Sequence, residues 1–560
     1  MKKQLPFLTG LMLISAGVFA QAASNFFQVH AQNVNLTADI RHARNMPNGD
    51  LLLQGSYDGA LVFDTITTQG TGENQYLMRL DQNRNVKWVK TFGNTSAIKT
   101  SILKTVNKKI FIGGIFRGSL AFEGNTIANP SSNDRIFLME LDSIGNLAQS
   151  FPMPDISSNP VTLDIILNNN ELSFSFWMRQ DSTNIFGQSI NSSLFQKNFG
   201  ALINTDLNGN YKSHFTYEAT DGNVRIFESA TLNNGDFLTV MSVNGSDSLR
   251  IDNQIITHSP RTGLWVLRID DQGSLKDSTF LKTQGFAGFT LADESPSGKL
   301  LLKGSFSDKI TKGSFSITNS DQPNPFFLQD GAYILLDQNL NIQAMNALGI
   351  EDNNTNIAGA RFRGSNEEII MTGTASGELL LNGDPTFFNS GGKTESYVLL
   401  LNPNGTLNRG MRTKGASQLT QIESEGLLIN PDGTFSIYGE ANTDFTIYQS
   451  AMDTLFRKSN RVGFLWNFNN FVSVPEFTPH LYREKLSLYP NPVEQRLYLK
   501  NDSRRPIGER AYRLSDMQGH LLREGTLTRE GVYVQDLQPG VYLLSLPDNR
   551  GEWKSYKFLK

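Results

Sequence analysis

The chain has 560 residues, 39% of them hydrophobic and 10% aromatic, so it is too long for one ordinary core and apolar enough to bury more than one. Charged residues make up 19% and the formal net charge is −4, which leaves no basic stripe for nucleic acid. Cysteine is absent, which excludes disulfide frameworks, thiol nucleophiles and thiolate-held metals.

The chain opens with "MKKQLPFLTGLMLISAGVFAQAAS": two lysines, an apolar run to Phe19, then small residues. That layout predicts a signal peptide over 1–20, read by the general secretion machinery and cut between Ala20 and Gln21. The run is shorter than the ~20 apolar residues a spanning helix needs, and no later stretch reaches that length, so no transmembrane segment is expected in the mature chain.

From residue 25 to 472 one unit recurs, an apolar stretch introduced by a turn and closed by a small-residue step. "NGDLLLQGSYDGALVF" (48–63), "NKKIFIGGIFRGSLAFEG" (107–124), "SGKLLLKGSFSDKI" (297–310) and "NEEIIMTGTASGELLLNG" (366–383) are examples. A second unit follows each copy, as in "YLMRLDQNRNVKW" (76–88) and "IFLMELDSIGNLAQ" (136–149). Its anchors Asp81, Asp142, Asp206, Asp270, Asp337 and Asn402 recur at a near-constant spacing of roughly 65 residues, the mark of a repeat architecture. The stretches alternate apolar with polar residues and are bounded by Gly, Asn and Asp, so they read as strands and hairpins. About four strands in each of seven repeats predicts an all-β protein whose body is a seven-bladed β-propeller, a β-solenoid being the alternative.

Asp at the first position of each second-unit turn suits capping of backbone amides; a calcium or carboxylate ladder is the sharper alternative. The six histidines follow no metal-ligand spacing, and no nucleophile elbow, Walker loop or dinucleotide fingerprint is present. No catalytic residue, metal or cofactor is assigned, and a non-enzyme is favoured. Charged residues upstream of the repeat turns are candidates for a ligand site at a mouth of the propeller channel: Asp39, Arg41, Asp164, Glu228, Glu294, Arg361 and Glu423, with Arg44, Asp293, Arg363 and Glu425 nearby.

After a linker at 473–485 the repeat period disappears, and short strands fill 486–560. "LSLYPNPV" (486–493), "YRLSDMQG" (512–519), "LQPGVYLLSL" (537–546) and a closing "KFLK" (557–560) come in order, with Pro539-Gly540 suited to a type II turn and the whole to a small antiparallel sandwich. Together these motifs resemble the type A C-terminal sorting domain of the type IX secretion system. The body repeats, best in "GGIFRGSLAFEGNTI", resemble β-propeller repeats of secreted Bacteroidetes proteins. The first resemblance implies passage through the type IX translocon and removal by a sortase in or near 473–485. It also gives Leu488, Tyr489, Pro490, Asn491, Pro492, Asp516, Gly519, Gly540 and Tyr542 a role in recognition or in the fold that supports it. The chain is then expected outside the outer membrane, secreted or on the cell surface, by way of the periplasm. Its body is read as a binding or adhesion module for a surface glycan or protein, the alternatives being a polysaccharide hydrolase or lyase and a structural envelope component.

Overall fold

The computed structural model describes residues 26–31, 37–63, 66–68, 73–94, 97–106, 108–128, 135–151, 162–168, 171–178, 182–185, 188–191, 199–252, 254–321, 328–350, 353–415, 421–430, 432–442, 445–447, 454–455, 461–468, 486–501, 510–527, 531–547 and 553–560. The expected signal peptide with Ala20 and Gln21, and the linker 473–485, lie outside the described residues. The chain divides into two compact units, Met1–Glu476 and Phe477–Lys560, and is all-β, with no helix among the described residues.

In the first unit the described strands form seven sheets of four to six antiparallel strands, besides a small hairpin at 182–185 and 188–191. Each sheet begins with one of seven strands: His42–Asn45, Ala97–Val106, Thr162–Asn168, Asn223–Thr231, Ala287–Glu294, Asn356–Arg363 and Ile422–Ile429. These first strands lie beside one another in that order, and the seventh lies beside the first. The first and last described strands of this unit also meet. Phe26–Ala31 is a strand of the seventh sheet, paired with Val462–Phe468 from Phe26 opposite Trp466 to His30 opposite Val462. Seven apolar clusters lie among the described residues, each shared by two consecutive sheets; the one holding Val29, Tyr57, Leu428 and Leu465 joins the seventh to the first.

Four strands per repeat proves too few, since six of these sheets have six. The apolar stretches that end the first unit turn away and pair with the sheet before. Ser119–Phe122, for example, joins Val86–Asn94 of the first sheet while Lys109–Arg117 belongs to the second. Local alternation identifies these segments as strands but carries no information about which neighbour they pair with.

The small-residue step has a steric cause. The first strands carry bulges, among them one between Leu291 and Asp293, one between Ile357 and Gly359 and one between Ser424 and Gly426. On the second strand, a Cβ at Gly304 would lie 2.1 Å from the Gly288 carbonyl oxygen, at Gly373 2.0 Å from that of Asn356, and at Gly439 1.9 Å from that of Glu423. We expect Gly373→Ala and Gly439→Ala each to lower stability by about 1–3 kcal/mol, read as a fall in the thermal unfolding midpoint.

The second-unit turns follow the capping reading. In the five that begin with Asp, the Asp Oδ1 accepts from the backbone N–H groups two and four residues on, as Asp142 does from Ile144 and Asn146, both at 2.9 Å, whereas at Asn402 the Thr406 N–H is taken by Asn404 Oδ1 at 3.1 Å. Asp81, Asp206, Asp270 and Asp337 repeat the pattern. The left-handed position is Gly145, Gly209, Gly273 or Gly405, but Arg84 (φ 68°) and Leu340 (φ 61°) fill it in the first and fifth sheets.

The second unit has two antiparallel sheets, one of Leu486–Tyr489, Arg496–Asn501 and Val532–Tyr533, the other of Leu521–Leu527, Arg510–Asp516, Val541–Pro547 and Trp553–Leu559. Both contribute to one core, including Leu497, Val532, Leu514, Leu544 and Phe558.

Candidate functional site

The first strands end, on their inner side, in side chains that reach across the seams between sheets. Arg44 Nε donates to the Leu103 carbonyl (3.1 Å) and Asn45 Nδ2 to that of Ile429 (2.7 Å). Lys303, on the second strand of the fifth sheet, donates to the carbonyls of Ile357 (3.2 Å) and Ala358 (2.6 Å) in the sixth. Arg361 returns a bond from the sixth sheet to the Ala292 carbonyl of the fifth, while Asp293 accepts from the Phe362 N–H at 2.8 Å. The bulges skip Ala292 and Ala358, and Arg361 and Lys303 donate to the carbonyls of those two residues.

The electrostatics join sheets far apart in sequence. Burial pushes Lys303 down to about 8, helped by Arg361 and Arg44 and opposed by Glu228 and Glu425. Lys303 of the fifth sheet is thus coupled to charges on the first, fourth, sixth and seventh.

Of the candidate residues, Glu228 and Arg361 belong to this group. Asp39, Arg41 and Glu423 gather at the seam of the seventh and first sheets with Glu425, Glu440 and Arg461. There Asp39 is saturated: it accepts from the Ser56 N–H and hydroxyl, both at 2.6 Å, and from Arg41 Nε at 2.9 Å. Glu440 pairs with Arg461 at 2.6 Å. Glu294 stands apart, capping the Asn233 N–H at 2.6 Å. The backbone of Asp164 lies in the third sheet opposite Ser175, and its side chain is outside those described. Lys303, Glu440 and Lys104 escape a sequence reading because alternation does not say which strand is innermost.

Burial pushes the Glu440 carboxyl up to about 7 against the pull of Arg461, with Asp39 and Glu423 adding to it. Burial likewise raises Asp330 to about 7, although the Ser320 N–H and hydroxyl both donate to it. Each stays protonated in the folded chain at a pH where the unfolded chain has lost the proton. Their contribution is therefore full below the ordinary carboxylate range and is lost as pH rises through about 7. We expect the unfolding midpoint to fall as pH rises from about 4 to about 7, and the Asp330→Asn, Glu440→Gln double variant to flatten that slope.

In the second unit the proline-flanked segment is tied to the last strand. Asn491 Oδ1 accepts from the Leu559 N–H and the Val493 N–H donates to the Leu559 carbonyl, both at 2.9 Å. Leu488 packs on the core, Tyr489 is exposed and lies 5.7 Å from Tyr498 between ring centroids, and both Pro490 and Pro492 follow cis peptide bonds. Asp516 Oδ1 caps Gln518 and His520, and Gly519 takes φ 88°. The expected type II turn at Pro539-Gly540 does not form: Gly540 has no positive φ and instead exchanges two backbone bonds with Lys560. Tyr542 stacks on Phe558 and donates to the Gln538 carbonyl at 2.8 Å. Large apolar side chains nevertheless face solvent here, among them Leu521 (55%), Met517 (52%) and Tyr533 (44%).

Among the described residues no group of three or more His, Asp or Glu side chains is placed to hold a metal, and no helix is long and apolar enough to cross a membrane. No curated protein matches the chain. Solved structures with some likeness include PorZ, described as an essential bacterial surface component of the type IX secretion system of Porphyromonas gingivalis. It is 11% identical, covering 93% of this chain and 81% of its own, with a TM-score of 0.23. The endosialidase of phage phi92 is 11% identical over 96% of this chain and 79% of its own, with a TM-score of 0.35. A point mutant of NanB sialidase from Streptococcus pneumoniae is 9% identical over 79% of this chain and 94% of its own, with a TM-score of 0.26. Residues 487–559 match the family described as the secretion system C-terminal sorting domain. The chain thus ends in a type IX sorting domain of the Bacteroidetes type, and its destination is the outer-membrane surface or the medium beyond.

Proposed function

We propose that the chain is a type IX cargo whose body, residues 25–472, is a seven-bladed β-propeller acting outside the cell as a non-enzymatic binding module. In this reading Phe26–Ala31 closes the ring by completing the last blade, and residues 486–560 fold as a small sandwich that a sortase removes. The observation that carries the binding reading is the coupling of Lys303 to charges from four other sheets. The channel that a propeller would enclose, bordered by those charges, would suit a polar ligand.

A polysaccharide hydrolase or lyase draws on the carboxylates Asp39, Glu423, Glu425 and Glu440 and on the raised Glu440. Against it, Asp39 is held by Ser56 and Arg41 and Glu440 by Arg461, so these two already serve the fold. The test is a panel of surface glycans and matrix proteins presented to the purified chain, with product analysis on each glycan. Binding without turnover is expected; bond cleavage abolished by Glu440→Gln would transfer the assignment to the enzyme.

A further inference from the structure

A cavity of about 270 Å³ opens where four neighbouring first strands run out toward their turns. Arg44 of the first sheet, Lys104 and Thr105 of the second, Ile166 of the third and Ser229 and Thr231 of the fourth line it. Its charge is one-sided. No described carboxylate lines it, and the nearest acid in sequence, Glu228, interacts with Lys303 and Arg361. Arg44 places Nε and Nη1 on backbone carbonyls and makes no bond through Nη2 among the described residues. Lys104 makes neither ion pair nor hydrogen bond there, although half-buried. The Ser229 hydroxyl is held by Ser175 and Thr239, both at 3.0 Å, which fixes that wall. Two cations lining one cavity with no described carboxylate suit a bound anion.

We propose that this cavity is an anion site that takes one acidic sugar unit, bearing a carboxylate or a sulfate ester, of a surface glycan. A cavity of about 270 Å³ has room for a single sugar ring. Thr105 offers a hydroxyl to ring hydroxyls and Ile166 an apolar wall to a ring face, while Lys104 and Arg44 take the charge. The proposal rests on the binding reading above and narrows its ligand to acidic glycans.

The test uses the full mature chain and its Lys104→Met and Lys104→Arg variants, with calorimetric titration of tetragalacturonate, a sulfated galactan tetrasaccharide and neutral galactotetraose. Free glucuronate and inorganic sulfate are followed by thermal shift. Expected is binding of at least one acidic tetrasaccharide, the two arms telling carboxylate from sulfate, with none of the neutral one. Lys104→Met should weaken it about tenfold or more, the loss of one charge-assisted contact, and Lys104→Arg should retain it. Lys104→Met must keep the wild-type unfolding midpoint for the comparison to count, and a Thr105→Tyr variant, which narrows the cavity from a half-buried lining position, replaces it if it does not. Equal binding by wild type and variants overturns the cavity while leaving the binding module standing. If no oligosaccharide binds but free glucuronate or sulfate stabilises wild type and not Lys104→Met, the anion site stands and the glycan assignment falls. No response to any acidic probe overturns the proposal.

Discussion

Deleting residues 486–560 is expected to leave the body in the periplasm and to remove it from the cell surface and the medium. The sorting domain supplies the address, and it is structurally separable from what it addresses. Its core is drawn from both of its own sheets, whereas the seven clusters of the body contain no residue beyond 468. The truncated body should therefore still fold, and fractionation should find it intact behind the outer membrane. Asn491→Ala is a milder form of the same experiment. It removes the side-chain bond to the Leu559 N–H that joins the first and last motifs, a loss of about 1 kcal/mol, and should reduce export in part.

The second large effect concerns the strand Phe26–Ala31. It lies between Val462–Phe468 and Leu61–Phe63, bonded to both, so residues more than four hundred positions apart share one sheet. Val29 is fully buried in that strand. Val29→Pro removes a backbone donor and forces φ near −65° inside a strand paired on both edges, which costs about 3 kcal/mol or more. Loss of the strand also leaves Val462–Phe468 as an unpaired edge. We expect a lowered unfolding midpoint and new protease cleavage near the C-terminal end of the body, while Val29→Ile, of nearly the same shape, should change little. An unchanged midpoint in Val29→Pro would mean that the terminal strand does not stabilise that sheet.

What could be read from the sequence was local. An Asp with a Gly three residues on makes its turn from its own side chain and one left-handed residue, so the second-unit turns were legible from Asp142 and Gly145 alone. The sorting motifs were legible for the same reason, since each is a short stretch in fixed order. The crossing of Ser119–Phe122 onto the preceding sheet was not, because strand alternation is the same whichever edge accepts it. Nor was the role of Gly373, whose missing side chain answers a carbonyl of Asn356 seventeen residues earlier. Of the charges coupled to one another across the sheets, Glu228 and Arg361 were named from the sequence but Lys303 was not, and neither was Lys104 of the cavity, because alternation does not say which strands lie side by side. The turn expected at Gly540 failed because the chain end, Lys560, takes both of its backbone groups.

The measurement that bears most directly on the division into cargo and address is to fuse residues 473–560 behind a signal peptide and an unrelated folded reporter, in a host with a type IX system. Surface labelling of intact cells then reads its location. The account predicts reporter outside the outer membrane, lost when Asp516 and Asn491 are both replaced by alanine. Reporter that remains wholly in the periplasm, with the native chain exported in the same cells, would contradict it.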